Sequence, residues 1–198
     1  MRYRREGPPT HRPEVLEAYS DEQRLVLRAQ RDPEAFGELY DMHFDRIYAY
    51  IHRKTGDRQV AEDLTADTFL KALAHIQHYR YTGQPFAAWL YRIAANVVID
   101  YYRVHRPTVQ LDEGLSAAGG GPEPEEAALA LDDRQAVSRA LQALSPDQQD
   151  VVLMRFAGDM KLKDIAAAMG KTEGAVKALL FRALNTLRRK LSESGVQP

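Results

Sequence analysis

The stretch LKDIAAAMGKTEGAVKALLFRALNTL at residues 162–187 constrains this chain most. Its small, apolar and turn positions suit two short helices crossing at close range. Ile165, Ala166, Met169, Gly170, Val176 and Leu179 fall where such a pair needs its buried contacts and its bend. Ala166 is small where the second helix must pass close by. Gly170 can take the left-handed backbone that ends the first helix, and Thr172 can cap the next. On that second helix Val176, Leu180, Ala183, Leu184, Leu187 and Leu191 form one apolar stripe. The opposite face carries Lys177, Ala178, Phe181, Arg182, Asn185, Arg188 and Arg189. A phenyl ring on the polar face of a basic helix suits contact with a thymine methyl in the major groove. Buried pattern, turn glycine, cap and basic face agree on a nucleic-acid-binding helix-turn-helix, against the plainer alternative of a hairpin with a solvated basic face.

A formal net charge of −1 looks unpromising for such a role, but charge is sorted by segment. Lys177 to Lys190 holds five basic residues and no acidic ones, whereas Pro107 to Asp133 holds seven acidic residues and no basic ones. The absence of cysteine excludes disulfides, thiolate metal sites and thiol switches within the chain. No run approaches the roughly 20 apolar residues of a membrane span, and Met1–Arg5 leads into no signal-peptide core. A cytoplasmic setting is the expectation.

The acidic segment also marks the organisation. Residues 107–126 contain GLSAAGGGPEPEE and read as a flexible acidic linker. Both sides read as helix, with Pro and Gly at the breaks and no sustained strand alternation. Upstream, helices are expected from Ser20–Asp21, from Pro33 to Lys54, from Asp57 to about Ile76 and from Pro85 to about His105. Downstream come Glu125–Leu144, a helix capped at Ser145-Pro146, and the helix-turn-helix. Residues 1–19, with four arginines and three prolines, read as a disordered basic tail. The fold expected is all-α, with two small helical domains on a tether.

The first domain holds a second constellation, YRYTGQPFAAWLYRIAANVVIDYYRVHR at 79–106. Phe86, Leu90, Ile93, Ala94, Val97 and Tyr101 share one helical face and form its expected core. Arg92, Asn96 and Arg103 make a neighbouring polar stripe beside the aromatic loop carrying Tyr79 and Tyr81. Such a surface suits unpaired DNA, where rings stack on bases and amides read their edges. Aromatic side chains at helical spacing also serve as ordinary core, and Trp89 is assigned to packing.

Three segments together resemble bacterial sigma factors of the extracytoplasmic-function (ECF) group, within the sigma-70 family: AEDLTADTFLKAL at 61–73, FAAWLYRIAANVVIDYYR at 86–103, and the stretch from Leu144 to Leu191. The resemblance covers about Asp21–Leu191 and implies a sigma-2 helical bundle at 20–106, the linker at 107–126, a sigma-4 helix-turn-helix domain at 127–192 and a tail at 193–198. It implies a protein that binds core RNA polymerase at the beta-prime clamp helices and beta flap, directs it to promoter DNA and promotes melting. An anti-sigma factor is the further partner it implies.

Residue roles follow position by position. Asp63, Ala66, Asp67 and Phe69 occupy the family's clamp-binding pattern, with Asp63, Asp67 and Phe69 as core-polymerase contacts, although a solvated acidic face would read the same way. Ala66 stands where Gln is usual, and Asp67 shortens the usual Glu. Asn96 matches the residue that contacts the minus-ten element, and Tyr79, Tyr81, Arg92 and Arg103 join it as minus-ten candidates. The loop at Tyr79–Pro85 departs from the family's Phe-Arg-Gly form, so the base it prefers does not transfer. Lys177, Ala178, Phe181 and Arg182 match positions facing the minus-thirty-five element, with Thr172, Arg188 and Arg189 beside them. The acidic linker reads either as a strand directed towards the polymerase cleft or as a solubilising tether.

Catalysis finds little support. His75 and His78 could share a helical face, but no cysteine or carboxylate pattern completes a metal site. The glycines at 119–121 lack the following Lys-Ser/Thr of a phosphate-binding loop. No enzymatic activity, no metal and no cofactor is expected. The alternative is a stand-alone helix-turn-helix regulator, which would have no use for residues 61–73 and 79–106.

Overall fold

A computed structural model describes residues 20–105 and 135–194, and within them eight α-helices and no strand. Local chemistry sets most boundaries. Ser20 starts α1 (Asp21–Ala29) with a reciprocal cap: its hydroxyl accepts from the Gln23 amide and its amide donates to the Gln23 side chain at 2.9 Å. Asp32-Pro33 restarts the chain through a single 3-10 turn, Pro33–Ala35, into α2 (Phe36–Thr55). Gly56 ends α2 in the left-handed region at φ 73°, donating to the His52 carbonyl at 2.8 Å. Asp57 caps α3 (Arg58–His75), and α4 (Phe86–Val104) begins behind Pro85.

The second body begins with α5 over residues 135–142. Another reciprocal cap, Ser145 with Gln148, and Pro146 in the first turn start α6 (Pro146–Phe156). The helix-turn-helix follows as α7 (Leu162–Met169) and α8 (Glu173–Glu193). Gly170 sits at φ 63° between them, and the Thr172 hydroxyl accepts from the Ala175 amide at 3.2 Å. The expected basic tail, the acidic linker and the part of the Glu125–Leu144 helix before 135 lie outside the described residues.

Leu39, Ile47, Ile51, Ala72, Leu90 and Ala94 fill the core of the first body, and Val151, Ile165, Val176 and Ala183 that of the second. Two expectations about faces change. Leu184, placed on the apolar stripe of α8, is more than a third exposed. Tyr91, outside the expected core face of α4, is buried. For Tyr91 the reason is tertiary: α4 lies against α7, and α2 touches α6. At this seam the Tyr50 hydroxyl donates to Asp150 at 2.7 Å, and the Lys54 ammonium donates to the same carboxylate oxygen. Tyr91 meets Tyr50 edge-on with centroids 5.3 Å apart. A side chain at Gly158 would collide with the Tyr91 hydroxyl, so the tyrosine ring end lies directly against the backbone there. Among the described residues no helix is long and apolar enough to cross a membrane.

Candidate nucleic-acid and polymerase interfaces

The helix-turn-helix presents an open basic face. Val176 and Ala183 pin α8 against the rest of the second body, as the stripe requires. On the outer side Phe181 is 67% exposed, and Lys177, Ala178, Arg182, Arg188 and Arg189 are exposed around it. An apolar ring held in water has no packing reason to be there. Lys177 pairs with Glu173 at 3.0 Å one turn back, an exposed pair weak enough to be exchanged for a phosphate. Thr172 contributes through its cap, which orients the first turn of α8.

The stripe on α4 divides. Asn96 and Arg103 are exposed, and Arg103 pairs with Asp100 at 3.0 Å. Arg92 instead donates to the carbonyls of Ala167 and Ala168, the latter at 3.3 Å. Those carbonyls end α7, where unsatisfied acceptors and the helix dipole favour a cation. In this arrangement Arg92 serves the seam between the two bodies.

The loop before α4 is anchored from α1. The Gln30 side chain donates to the carbonyls of Ile76 and Tyr79 at 3.0 and 2.8 Å. Glu22 accepts from the Phe86 amide at 3.3 Å and faces His43 at 3.1 Å. Burial opposes ionisation of Glu22, yet His43, the Phe86 amide and Arg46 outweigh it and hold the carboxyl below its ordinary value. Tyr79, expected to meet DNA, is half-buried, its ring packed on Phe86 and Trp89 at 5.5 and 5.2 Å. Burial, with the charge of Glu22, pushes its phenol up to about 12. Tyr81, 48% exposed, is the ring this loop leaves free to stack.

On α3, Asp63 is exposed and Asp67 pairs with Lys71 at 2.9 Å on the surface. Phe69, expected to touch the polymerase, is 4% exposed and packs against Phe36, Tyr40 and Phe44. It holds the helix in place and offers no surface. The outward apolar group is Leu70, 65% exposed and three residues after Asp67 on the same side of the helix. Sequence reasoning passed over it, although the i, i+4, i+7 spacing of Asp63, Asp67 and Leu70 was available to find it. A shallow apolar cleft of about 260 Å³ is lined by Val137, Leu141, Phe156 and Leu191 of the second body and by Arg53 of the first, among others. Among the described residues no group of three or more His, Cys, Asp or Glu is placed to hold a metal ion.

A bundle with an acidic-apolar face and a partly exposed aromatic loop, followed by a helix-turn-helix with an open basic face, defines a DNA-binding protein with two working bodies. Each body matches a family model. Sigma-70 region 2 matches residues 39–108, and Sigma-70, region 4 matches residues 134–187. The ECF RNA polymerase sigma factor SigL of Mycobacterium tuberculosis is 35% identical over 161 residues, 80% of this chain and 89% of that protein. BldN of Streptomyces coelicolor, also an ECF RNA polymerase sigma factor, is 40% identical over 86% of this chain, which spans 66% of BldN's length. SigW of Bacillus subtilis is 27% identical over 82% of this chain and 91% of its own. In fold the chain resembles CnrH, solved with the cytosolic domain of CnrY (TM-score 0.68, 23% identity, 88% of this chain and 99% of that one). It likewise resembles the sigma factor RpoE of Bartonella quintana, solved with the anti-sigma factor NepR (TM-score 0.64, 24% identity, 79% and 96%). The chain belongs to the ECF RNA polymerase sigma factors of the sigma-70 family. It is thereby a transcription initiation factor that binds RNA polymerase and directs it to promoters.

Proposed function

We propose that residues 20–106 attach the chain to core polymerase and handle the minus-ten strand, that residues 127–192 read minus-thirty-five duplex, and that 107–126 tether the two. The chain itself performs no chemistry and needs no cofactor; it works in the cytoplasm by positioning the polymerase. Asp63 and Asp67, with Leu70 between them and the partner, meet the beta-prime clamp helices. Asn96, Arg103 and Tyr81 engage the minus-ten strand once it is unpaired, because an amide can pair with a base edge only when that edge is free. Lys177, Phe181 and Arg182 read bases, while Arg188 and Arg189 contact phosphates. The cleft around Phe156 supports docking of the beta flap, and the RpoE–NepR complex supports an anti-sigma factor as the controller.

One observation carries this reading: α8 exposes Phe181 among Lys177, Arg182, Arg188 and Arg189 while its other side is anchored in the second body. The test is reconstitution with core polymerase. The chain should co-elute with it, and Asp63→Arg with Asp67→Arg should weaken that association without changing far-UV helicity. An Asn96→Ala holoenzyme should bind promoters nearly normally yet open them poorly in permanganate footprinting. Failure of the unmodified chain to bind core polymerase would favour a stand-alone regulator.

A further inference from the structure

The loop that precedes α4 does little to hold its own shape. Among the described residues three bonds form within it or just before it. The Tyr79 hydroxyl donates to the Gln84 carbonyl at 3.3 Å, and the Arg80 guanidinium donates to the carbonyls of Gln77 and Tyr79 at 3.3 and 3.4 Å. All three are long for their kind. The firmer bonds come from α1. Gln30 reaches 46 and 49 residues along the chain to the carbonyls of Ile76 and Tyr79, at 3.0 and 2.8 Å. At the other end of the loop, Glu22 accepts from the amide of Phe86, 64 residues away. That amide opens α4, and Pro85 before it offers no side-chain cap. A carboxylate from another helix thus meets a donor that α4 leaves free, where the helix dipole favours negative charge. Glu22 is itself steadied, because the 5% exposed His43 side chain sets a ring nitrogen 3.1 Å from its other oxygen.

Glu22 and Gln30 stand at opposite ends of one short helix. Glu22 lies in the first turn of α1, and Gln30 is the residue that closes it. At a rise of about 1.5 Å per residue the two are roughly 12 Å apart along the axis. Leu25, Val26 and Ala29, which come between them, are buried and fix α1 to the bundle. α1 is therefore a strut that grips both ends of a loop with little stiffness of its own. Stiffness matters for selection. A loop free to repack can fit several bases, whereas one held in a single shape rejects those it does not fit. An unpaired base that reaches a braced loop also finds it already ordered, so binding need not supply the ordering.

We propose that Glu22 and Gln30 are positioning residues for base selection at the minus-ten element: without touching DNA, they hold the loop at 79–85 in the one shape that discriminates among bases. The inference rests on the function proposed above, in which this loop meets the opened minus-ten strand; the brace itself stands on the contacts alone. Part of the specificity thereby resides in a helix that makes no contact with the strand. The loop supplies the contacts, and α1 sets how sharply they choose.

The test uses the full chain in complex with core polymerase, and single-stranded minus-ten oligonucleotides that carry each of the four bases in turn at each position. Gln30→Met removes both donors at similar length, and Glu22→Ala removes the acceptor. In each variant the ratio of affinities for the best and worst base, at the most selective position, should fall about fivefold or more. Glu22→Gln, which keeps an acceptor for the Phe86 amide, should retain most of the preference that Glu22→Ala loses. Arg28→Ala removes only the exposed pair of α1 with Glu38 and should leave the ratio unchanged. Mere destabilisation lowers affinity for all four bases together and does not move their ratio. Equal ratios in Gln30→Met, Glu22→Ala and the unaltered chain would therefore overturn the proposal, as would the same loss in Arg28→Ala. In the free chain, amide hydrogen exchange at 79–84 should quicken in Gln30→Met and Glu22→Ala, while that of α2 and α3 stays slow. If the unaltered complex prefers no minus-ten base, the function proposed above fails. The exchange measurement would still decide whether α1 braces the loop, and equal exchange in all chains would overturn the brace.

Discussion

The two helices that carry the proposed DNA contacts, α4 and α8, run 19 and 21 residues and differ in how they are held. α8 fully buries only Val176 and Ala183 and leaves most of its circumference to water. α4 buries seven residues and is held on two sides, by its own bundle and by α7. A helix anchored along one seam can lay a whole face into the major groove, which demands an unobstructed approach. A helix held on two sides has a narrow free face, here Asn96 and Arg103. On the proposed function, the duplex-facing side of the second body is open as folded, whereas the strand-facing side of the first is narrow.

Substitutions of one aromatic residue on each helix break the comparison most sharply. Tyr91→Ala removes a buried ring and should cost about 3 kcal/mol, read as an earlier urea transition by circular dichroism. A loss below about 1 kcal/mol would mean that the seam does not pack Tyr91 as described. Phe181→Ala should leave stability within about 0.5 kcal/mol, because its ring is already in water. It should nonetheless weaken discrimination at one minus-thirty-five position by about 1–3 kcal/mol in anisotropy titrations of the holoenzyme. Arg188→Ala should lower affinity evenly across sequences and reduce the salt slope by about one. An unchanged substitution profile for Phe181→Ala would remove the ring from the reading face.

The smallest effect concerns pH. Burial pushes the Tyr91 phenol up to about 12, and burial with the nearby Asp150 charge raises Tyr50 well above 10. The folded state therefore retains these protons when the unfolded chain has lost them. The stability they contribute is fully present below pH 10 and is lost as pH rises through about 12. Phenolate absorbance should show a late-titrating class of tyrosines, and in Lys54→Glu that of Tyr91 should move back towards 10. A Tyr91 that titrates identically in the unaltered chain and in Lys54→Glu would show that its burial owes nothing to the second body.

Much of the fold was legible because its signals act over three or four residues. Ser20 with Gln23, Ser145 with Gln148, Asp57 with Val60 and Thr172 with Ala175 each close a local hydrogen bond. Gly56 and Gly170 end helices in a conformation that most other residues resist. Phe181 was legible too, because helical periodicity alone sets it opposite Val176 and Ala183. Phe69 and Tyr79 were not. Each was matched to a functional position, yet each is claimed by neighbouring rings: Phe69 by Phe36, Tyr40 and Phe44, Tyr79 by Phe86 and Trp89. Periodicity places a side chain on a face but says nothing about which other helix covers that face.

By itself the sequence determined the helices, their ends, the order of the two bodies and the basic reading face, since these follow from neighbours along the chain. Only the tertiary structure decided that Lys54 meets Asp150, that Tyr91 is core and that Arg92 caps α7. A buried ion pair leaves no local pattern, because a lysine and an aspartate that will pair look the same in sequence as two that stay in water. Their partnership is set by how two helical bodies dock, and the stretch of chain between the bodies constrains that docking only by its length.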